Sequence, residues 1–255
     1  MTATPEGMTY ADYLKLDQLL GAQQPLSDLH DEMLFIVIHQ TKELWLKQML
    51  HELELAIGLL GTDSFAPAYK ALARVGRIQS VMTLSWDVLS TLTPVDYLKF
   101  RDVLGTSSGF QSAQFRELEY RLGIKDESYL KHYPPGTDER IRLERALAEP
   151  SLREAAHTAL QRAGFDIGDG SDEAVSAAWL GVYRDADRWF DLYQLAEKLM
   201  DVDDALAGWR HKHVLTVERI IGNRQGTGGS AGAPYLRSTL AKRAFPELWA
   251  LRTEL

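Results

Sequence analysis

Residues 209–232, WRHKHVLTVERIIGNRQGTGGSAG, decide how this chain folds. The first half predicts a helix, because side chains of one face recur at helical spacing and form a mainly apolar stripe: Trp209, His213, Val217, Ile220 and Ile221. His213 therefore lies on the apolar stripe. His211 lies about 200° away, on the polar face, between Arg210 and Lys212.

Gly222 is placed to end this helix, and residues 226–232 (GTGGSAG) follow as a loop that needs contacts to become ordered. Its glycines fit a loose dinucleotide-binding pattern, but that pattern requires a preceding strand, and here a helix precedes it. Two interpretations of His213 stay open from the residues alone. It is either a metal or haem ligand under a closing loop, or a buried histidine bonded to a backbone carbonyl, which is the commoner arrangement.

The composition limits the possible classes of protein. A chain of 255 residues with 45% hydrophobic and 25% charged residues is typical of a globular protein, and we expect a single domain over 1–255. The net charge of −8 argues against a nucleic-acid partner. No apolar run is long enough for a membrane span and no secretory signal is recognisable, so a cytoplasmic location is predicted. Without cysteine, any metal must be held by His, Asp, Glu or Tyr.

The N-terminal segment predicts a first helix that ends near Gly21 and Pro25. One face of this helix carries Tyr10, Tyr13, Leu14, Asp17 and Leu20. The face is either an ordinary docking surface or one wall of a ligand site, because a tyrosine offers a flat apolar body and a polar tip.

A second helix is predicted to begin at Ser27 as its N-cap. Residues 33–38 are apolar on every side, which predicts deep burial. His39 follows in the same segment, with Phe35 one turn before it and Glu43 one turn after it.

Another helix start lies at residues 93–96, where a Thr cap precedes Pro and Asp. Four residues beyond it share a predicted face: Tyr97, Arg101, Leu104 and Ser108. Arg101 on this stripe either extends along the edge of the core or presents its planar guanidinium to a carboxylate.

The rest of the chain also predicts helices. Residues 121–172 are polar and loop-rich, like an insertion, and residues 235–255 predict a last helix interrupted at Pro246. No convincing strand pattern is present, so the predicted fold is all-α.

A di-iron bundle would need two Glu-x-x-His motifs, and only Glu154–His157 fits. A purely structural helical bundle is possible, but it would not account for His39, Arg101 and the glycine loop together.

Four long blocks resemble the tryptophan 2,3-dioxygenase family. They are MTYADYLKLDQLL (8–20), HDEMLFIVIHQTKELWLKQ (30–48), FRDVLGTSSGFQSAQFRELE (100–119) and WRHKHVLTVERIIGNRQGTGGSAGAPYL (209–236). The middle, residues 125–203, matches poorly. Lys42 departs from the aromatic residue expected at its position, and we expect it to face away from His39.

The resemblance implies an all-α haem-binding bundle with non-covalent haem b, active as Fe²⁺, in a homotetramer built as a dimer of dimers. It implies that L-tryptophan and O₂ give N-formyl-L-kynurenine, the first step of kynurenine-route catabolism. Alternatives are a relative that mono-oxygenates or hydroxylates another indole or aromatic compound, and a haem-binding protein without turnover.

The resemblance also assigns roles to single residues. His213 would be the axial ligand of the haem iron, and Trp86 would contact the haem edge. His39 would be the catalytic residue that accepts a hydrogen bond from the indole N–H. The remaining substrate contacts would come from Phe35, Tyr97, Arg101, Leu104, Ser108 and Thr227 of the same chain. Residues 1–22 would be an arm helix that places Tyr10, Tyr13 and Leu14 in a neighbouring subunit's pocket.

Overall fold

The computed structural model describes residues 7–255, and no strand occurs in that range, which confirms the all-α prediction. The first six residues of the predicted 1–22 arm lie outside the described residues. Within 7–255, no helix has the length and apolar character needed to cross a membrane.

The α-helices are α1 Tyr10–Leu14, α2 Leu16–Leu20, α3 His30–Leu60, α4 Phe65–Leu89, α5 Pro94–Phe100, α6 Ala113–Leu122, α7 Asp138–Ala148, α8 Leu152–Arg162, α9 Asp172–Arg184, α10 Phe190–Ile221, α11 Ala233–Ser238 and α12 Pro246–Ala250. Short 3-10 helices cover Arg101–Leu104, Gly109–Gln111, Glu127–His132 and Leu251–Thr253.

Three long helices form the centre of the molecule, with α4 packed against both α3 and α10. Leu53 of α3, Val75 of α4 and Leu195 of α10 are fully buried in one hydrophobic core. Because α3 carries His39 and α10 carries His213, their common neighbour α4 fixes the relative position of the two histidines.

The start of the chain differs from the prediction at two points. The first helix is broken at Lys15, whose φ of 53° is left-handed, so α1 and α2 are separate short helices. Ser27 is not an N-cap, because α3 begins after Leu29. Ser27 instead donates its backbone N–H to the Glu32 carboxylate at 2.8 Å, and its hydroxyl donates to the same oxygen. This carboxylate, rather than a serine oxygen, organises the entry to α3.

The apolar segment 33–38 is less buried than predicted. Ile38 is buried, but Met33 is 41% and Val37 38% exposed in the single chain. A helix that is apolar on every side can turn only part of its circumference toward its own core. The opposite side of this segment is therefore an exposed apolar surface.

Helix α5 begins as predicted, with the Thr93 hydroxyl accepting a hydrogen bond from the Asp96 N–H at 3.2 Å and Pro94 in the first turn. The predicted continuous face through residue 108 is wrong, since α5 ends at Phe100 and a 3-10 turn follows. Gly105 then takes a positive φ of 55°, which reverses the chain.

The middle segment contains more helix than expected. Its polar part, residues 125–150, includes all of α7, and the next helix, α8, buries Leu152 and Leu160 completely in the main core. That residues 121–172 are an insertion stays a prediction, but several of their apolar side chains, such as Leu152 and Leu160, are part of the core.

The predicted last helix is in fact two short ones, and Pro246 begins α12 rather than interrupting a helix. Asp203, in the middle of α10, joins this region to the core. Its buried carboxylate accepts hydrogen bonds from the backbone N–H groups of Ala244 and Phe245 at 3.0 and 3.2 Å. It also accepts one from the Trp249 indole at 2.9 Å. Four hydrogen-bonding contacts in all therefore make this carboxylate a stable core group.

Candidate functional site

A cavity of about 230 Å³ lies between α3, α4, α10 and the glycine loop. It brings together residues that are far apart in the sequence. Those predicted for the site that line it are Phe35, His39, Trp86, Ser108 and His213. Most of its remaining wall is apolar or aromatic, with Leu46, Met82, Leu89, Phe110, Phe115, Trp209, Val217 and Ile221.

His213 is enclosed on α10, as its position on the apolar stripe predicts. The Trp86 ring stacks on its imidazole at 4.3 Å between centroids, with an interplanar angle of 12°. Burial lowers the pKa of His213 to about 3, with smaller contributions from the nearby Lys42 and His39, so the imidazole is neutral at physiological pH. The structure gives it no hydrogen bond to any residue in 7–255, so the buried-and-bonded interpretation does not describe it.

His211 behaves differently, although it lies only two residues away. It is exposed, and its Nδ1 lies 3.0 Å from the Ala207 carbonyl one turn earlier. Of the two histidines, only His213 offers a free ring nitrogen to the cavity. The sequence therefore placed these two histidines on the correct faces of the helix.

His39 faces the same cavity from α3, and its protonation is defined by its contacts. Its Nδ1 lies 2.7 Å from the Phe35 carbonyl, which can only accept, so Nδ1 carries the hydrogen. Nε2 is then the acceptor of the ring. Burial lowers the pKa of His39 to about 4, more than the carbonyl contact raises it, which keeps the ring neutral at pH 7. The Phe35 ring packs against it at 4.1 Å.

The glycine loop is closed over the 3-10 segment that follows α5. Arg101 donates a hydrogen bond to the Gln225 carbonyl, and the Thr227 hydroxyl donates to the Ser107 carbonyl. Gly228 lies so close to Ser108 that a β-carbon added there would be 2.7 Å from the serine β-carbon. Arg101 and Thr227 therefore lie at the rim of the cavity, on the loop contact, rather than in its wall.

Tyr97 and Leu104 pack next to the site but outside the lining of the cavity. Tyr97 is buried, its ring is 6.0 Å from the Phe35 ring, and burial raises the pKa of its phenol. Leu104 packs against the main core. Neither lines the cavity, so their predicted contacts with a substrate stay predictions.

The N-terminal residues predicted for the site are far from it in this single chain. Tyr10 and Tyr13 are 74% and 73% exposed, and Leu14 is also exposed. None of the three lines the cavity. Their predicted role requires another chain.

Comparison with known proteins decides the family. The sequence model described as tryptophan 2,3-dioxygenase matches residues 2–171 and 169–255. The tryptophan 2,3-dioxygenase of Caulobacter vibrioides is 61% identical, with 98% of this chain and 99% of that protein covered. The enzyme of the same name from Bacillus thuringiensis subsp. konkukian is 52% identical, with 98% and 94% covered.

The chain belongs to the tryptophan 2,3-dioxygenase family. The match also covers residues 125–203, which the sequence blocks had left poorly matched. A third relative, the tryptophan 2,3-dioxygenase of Exiguobacterium sibiricum, is 49% identical over 97% of this chain and 93% of its own length.

One expectation about this tryptophan 2,3-dioxygenase family member is wrong. Lys42 does not face away from His39, because residues three apart on a helix are separated by only about 60° around its axis. Lys42 lines the cavity, and its Nζ lies 2.9 Å from the centroid of the Trp86 ring. Burial lowers the pKa of its ammonium to about 6.

Charged residues at one end of the cavity were also missed. Arg116 and Arg210 both bind the Glu119 carboxylate, the second at 2.6 Å, and all three are buried. The sequence places Arg210 beside His211 on the polar face, but it is only 3% exposed. Arg210 can be buried because it pairs with Glu119, and no pattern within its own helix indicates a partner so distant in the sequence.

Proposed function

We propose that this chain is a haem-dependent dioxygenase that cleaves the indole C2–C3 bond of L-tryptophan with O₂. The product is N-formyl-L-kynurenine, which contains both oxygen atoms, and the reaction begins kynurenine-route catabolism. The observation that carries the proposal is the pair of neutral histidines facing one cavity. His213 has no hydrogen bond to any described residue, and His39 has an acceptor nitrogen.

The donor set fits haem b better than a bare metal ion. No cluster of three or more metal-binding side chains occurs in the described part of the chain. A haem-binding site with a single protein ligand instead needs one neutral histidine in a cavity lined by apolar and aromatic side chains, and this cavity has that arrangement. His213 would bind the haem iron, and Trp86 would hold the imidazole ring in place. When bound, ferrous haem supplies the binding and activation of O₂.

The protein's own residues would position the substrate. His39 Nε2 would accept a hydrogen bond from the indole N–H, and Phe35 would pack beside the ring. Arg101 would bind the tryptophan carboxylate at the rim, with Tyr97 behind it, as a charge-assisted contact remote from the reacting bond. Thr227 would keep the loop closed and exclude water during the reaction. Ser108 would complete the wall on that side, with Leu104 packed behind it as part of the core.

The test is to add L-tryptophan to the reduced, haem-loaded protein under ¹⁸O₂. We expect the absorbance of N-formylkynurenine and the incorporation of two labelled oxygen atoms. A product with one labelled atom would support a mono-oxygenase. Haem binding without any product would support a protein that only binds haem.

We also propose that the protein works as a homotetramer. The exposed apolar residues near the start of the chain support this, because an exposed apolar patch on a single chain is typical of an interface. The arm would place Tyr10, Tyr13 and Leu14 against the pocket of a neighbouring subunit. The cytoplasmic location expected from the sequence stays a prediction.

A further inference from the structure

Lys42 has surroundings that are unusual for a lysine. Its side chain is 7% exposed, and its Nζ has no hydrogen-bond partner among the described residues. The Nζ lies over the face of the Trp86 ring, which offers a weak cation–π contact and no negative charge. Burial without a carboxylate partner disfavours the charged ammonium of Lys42, and an anion brought into the cavity would favour it again.

The acidic residues of the same cavity are already engaged. Glu43 accepts a hydrogen bond from the Gln114 side chain at 2.7 Å, and Glu119 is shared by two arginines. Among residues 7–255, the charged side chains of the lining are three cations and two anions: Lys42, Arg116, Arg210, Glu43 and Glu119. With Lys42 protonated, the lining carries one uncompensated positive charge.

We propose that Lys42 is a cofactor-binding residue, whose ammonium pairs with a propionate carboxylate of haem. This inference rests on the haem-dependent function proposed above. Haem brings two carboxylates into the cavity, whereas the single carboxylate of tryptophan is assigned to Arg101 at the rim. From its position one turn beyond His39, the flexible lysine side chain can leave the Trp86 face and turn toward a carboxylate that enters the cavity.

The experiment compares two porphyrins that differ only at the propionates. The full chain, prepared without haem, is titrated with iron protoporphyrin IX and with its dimethyl ester, and dissociation constants are read from the Soret absorbance. The variants are Lys42→Met, which keeps the length without the charge, and Lys42→Arg, which keeps the charge. Lys47→Met is the matched control, because Lys47 is exposed on the same helix.

We expect Lys42→Met to weaken binding of the diacid about tenfold, or roughly 1.4 kcal/mol, and to leave binding of the diester nearly unchanged. Lys42→Arg should keep most of the affinity for the diacid, and Lys47→Met should match the wild type. Without haem, Lys42→Met should unfold at the same or a higher temperature, because it removes a buried amine that has no hydrogen-bond partner among the described residues.

Equal weakening for both porphyrins, or no weakening for either, would overturn the proposal, since Lys42 would then only fill space or be dispensable. Unfolding of Lys42→Met and also of Lys42→Gln would overturn it as well, because the lysine would then stabilise the fold. If the wild type binds neither porphyrin, the haem-dependent function itself fails. That result differs from one in which the wild type binds iron protoporphyrin IX and its dimethyl ester equally well.

Discussion

His213 and His211 differ in their surroundings although they share a helix, and this contrast gives the first prediction at the scale of residues. His213→Ala should lose stable haem, because no other described histidine offers a neutral, unbonded nitrogen to the cavity from α10. His211→Ala should keep haem, since its ring is exposed. The measurement is the haem content of each purified variant. Haem loss in His211→Ala with retention in His213→Ala would reverse the assignment.

Arg101 gives a second prediction about the substrate carboxylate. Arg101→Leu should lower kcat/KM for L-tryptophan by about 2–5 kcal/mol, because it leaves a desolvated carboxylate without its partner. The loss should be much smaller for tryptamine, which has no carboxylate. Arg101 also holds the Gln225 carbonyl of the loop, and the loss of that contact would affect both compounds equally. An equal loss for both would therefore assign Arg101 to loop closure alone.

His39 predicts the pH dependence of the reaction. The indole N–H needs the neutral imidazole, and a pKa of about 4 keeps that form dominant well below the ordinary histidine value of 6.5. As the pH falls, activity that depends on His39 should therefore persist through pH 6.5 and decline only toward pH 4. The measurement is kcat/KM for L-tryptophan between pH 5 and 8, on protein shown to retain haem. A half-maximal value near pH 6.5 that disappears in His39→Ala would contradict this.

At the scale of elements, the glycine loop depends on one close approach. Gly228→Ala would place a methyl group against the Ser108 β-carbon, which cannot move without its backbone, so the loop should shift outward. We expect a cost of about 1–3 kcal/mol in kcat/KM, typical of overpacking, with haem retained. Gly58→Ala is the control, because the added methyl meets nothing within 4 Å and lies in a helix. Steady-state kinetics of Gly228→Ala equal to those of the control would show that the loop contact is dispensable.

Elements set by local patterns were predicted well, and those set by distant contacts were not. The stripe on α10 and the start of α5 follow from neighbouring residues, and the structure confirms both. The burial of Arg210 depends on Glu119, which is 91 residues away, so spacing within its own helix could not reveal it. Lys42 is different, because correct helical geometry would have placed it beside His39.

At the scale of the whole molecule, the proposed tetramer predicts complementation between two defective chains. One variant carries Tyr10→Ala and Tyr13→Ala, and the other carries Arg101→Leu. Each should be nearly inactive alone yet bind haem. When they are co-expressed, some pockets would combine an intact Arg101 with intact tyrosines from a neighbour, and a fraction of wild-type activity should return.

The exposed tyrosines make this outcome informative. Tyr10 and Tyr13 are not in the cavity of their own chain, so only a neighbour's pocket could use them. No recovery in verified mixed oligomers would show that Tyr10 and Tyr13 do not complete a neighbour's pocket. The sequence could not decide this point, because the pattern of one chain does not specify which surface covers another.

The buried carboxylate of Asp203 has a consequence for biosynthesis. Its hydrogen-bond donors, Ala244, Phe245 and Trp249, are all translated after the helix that carries His213. Until they leave the ribosome, the Asp203 carboxylate lacks these hydrogen-bond donors, and the packing of α10 stays incomplete. Under the haem-dependent function proposed above, the capture of haem should therefore follow translation of residue 249 rather than accompany that of residue 213.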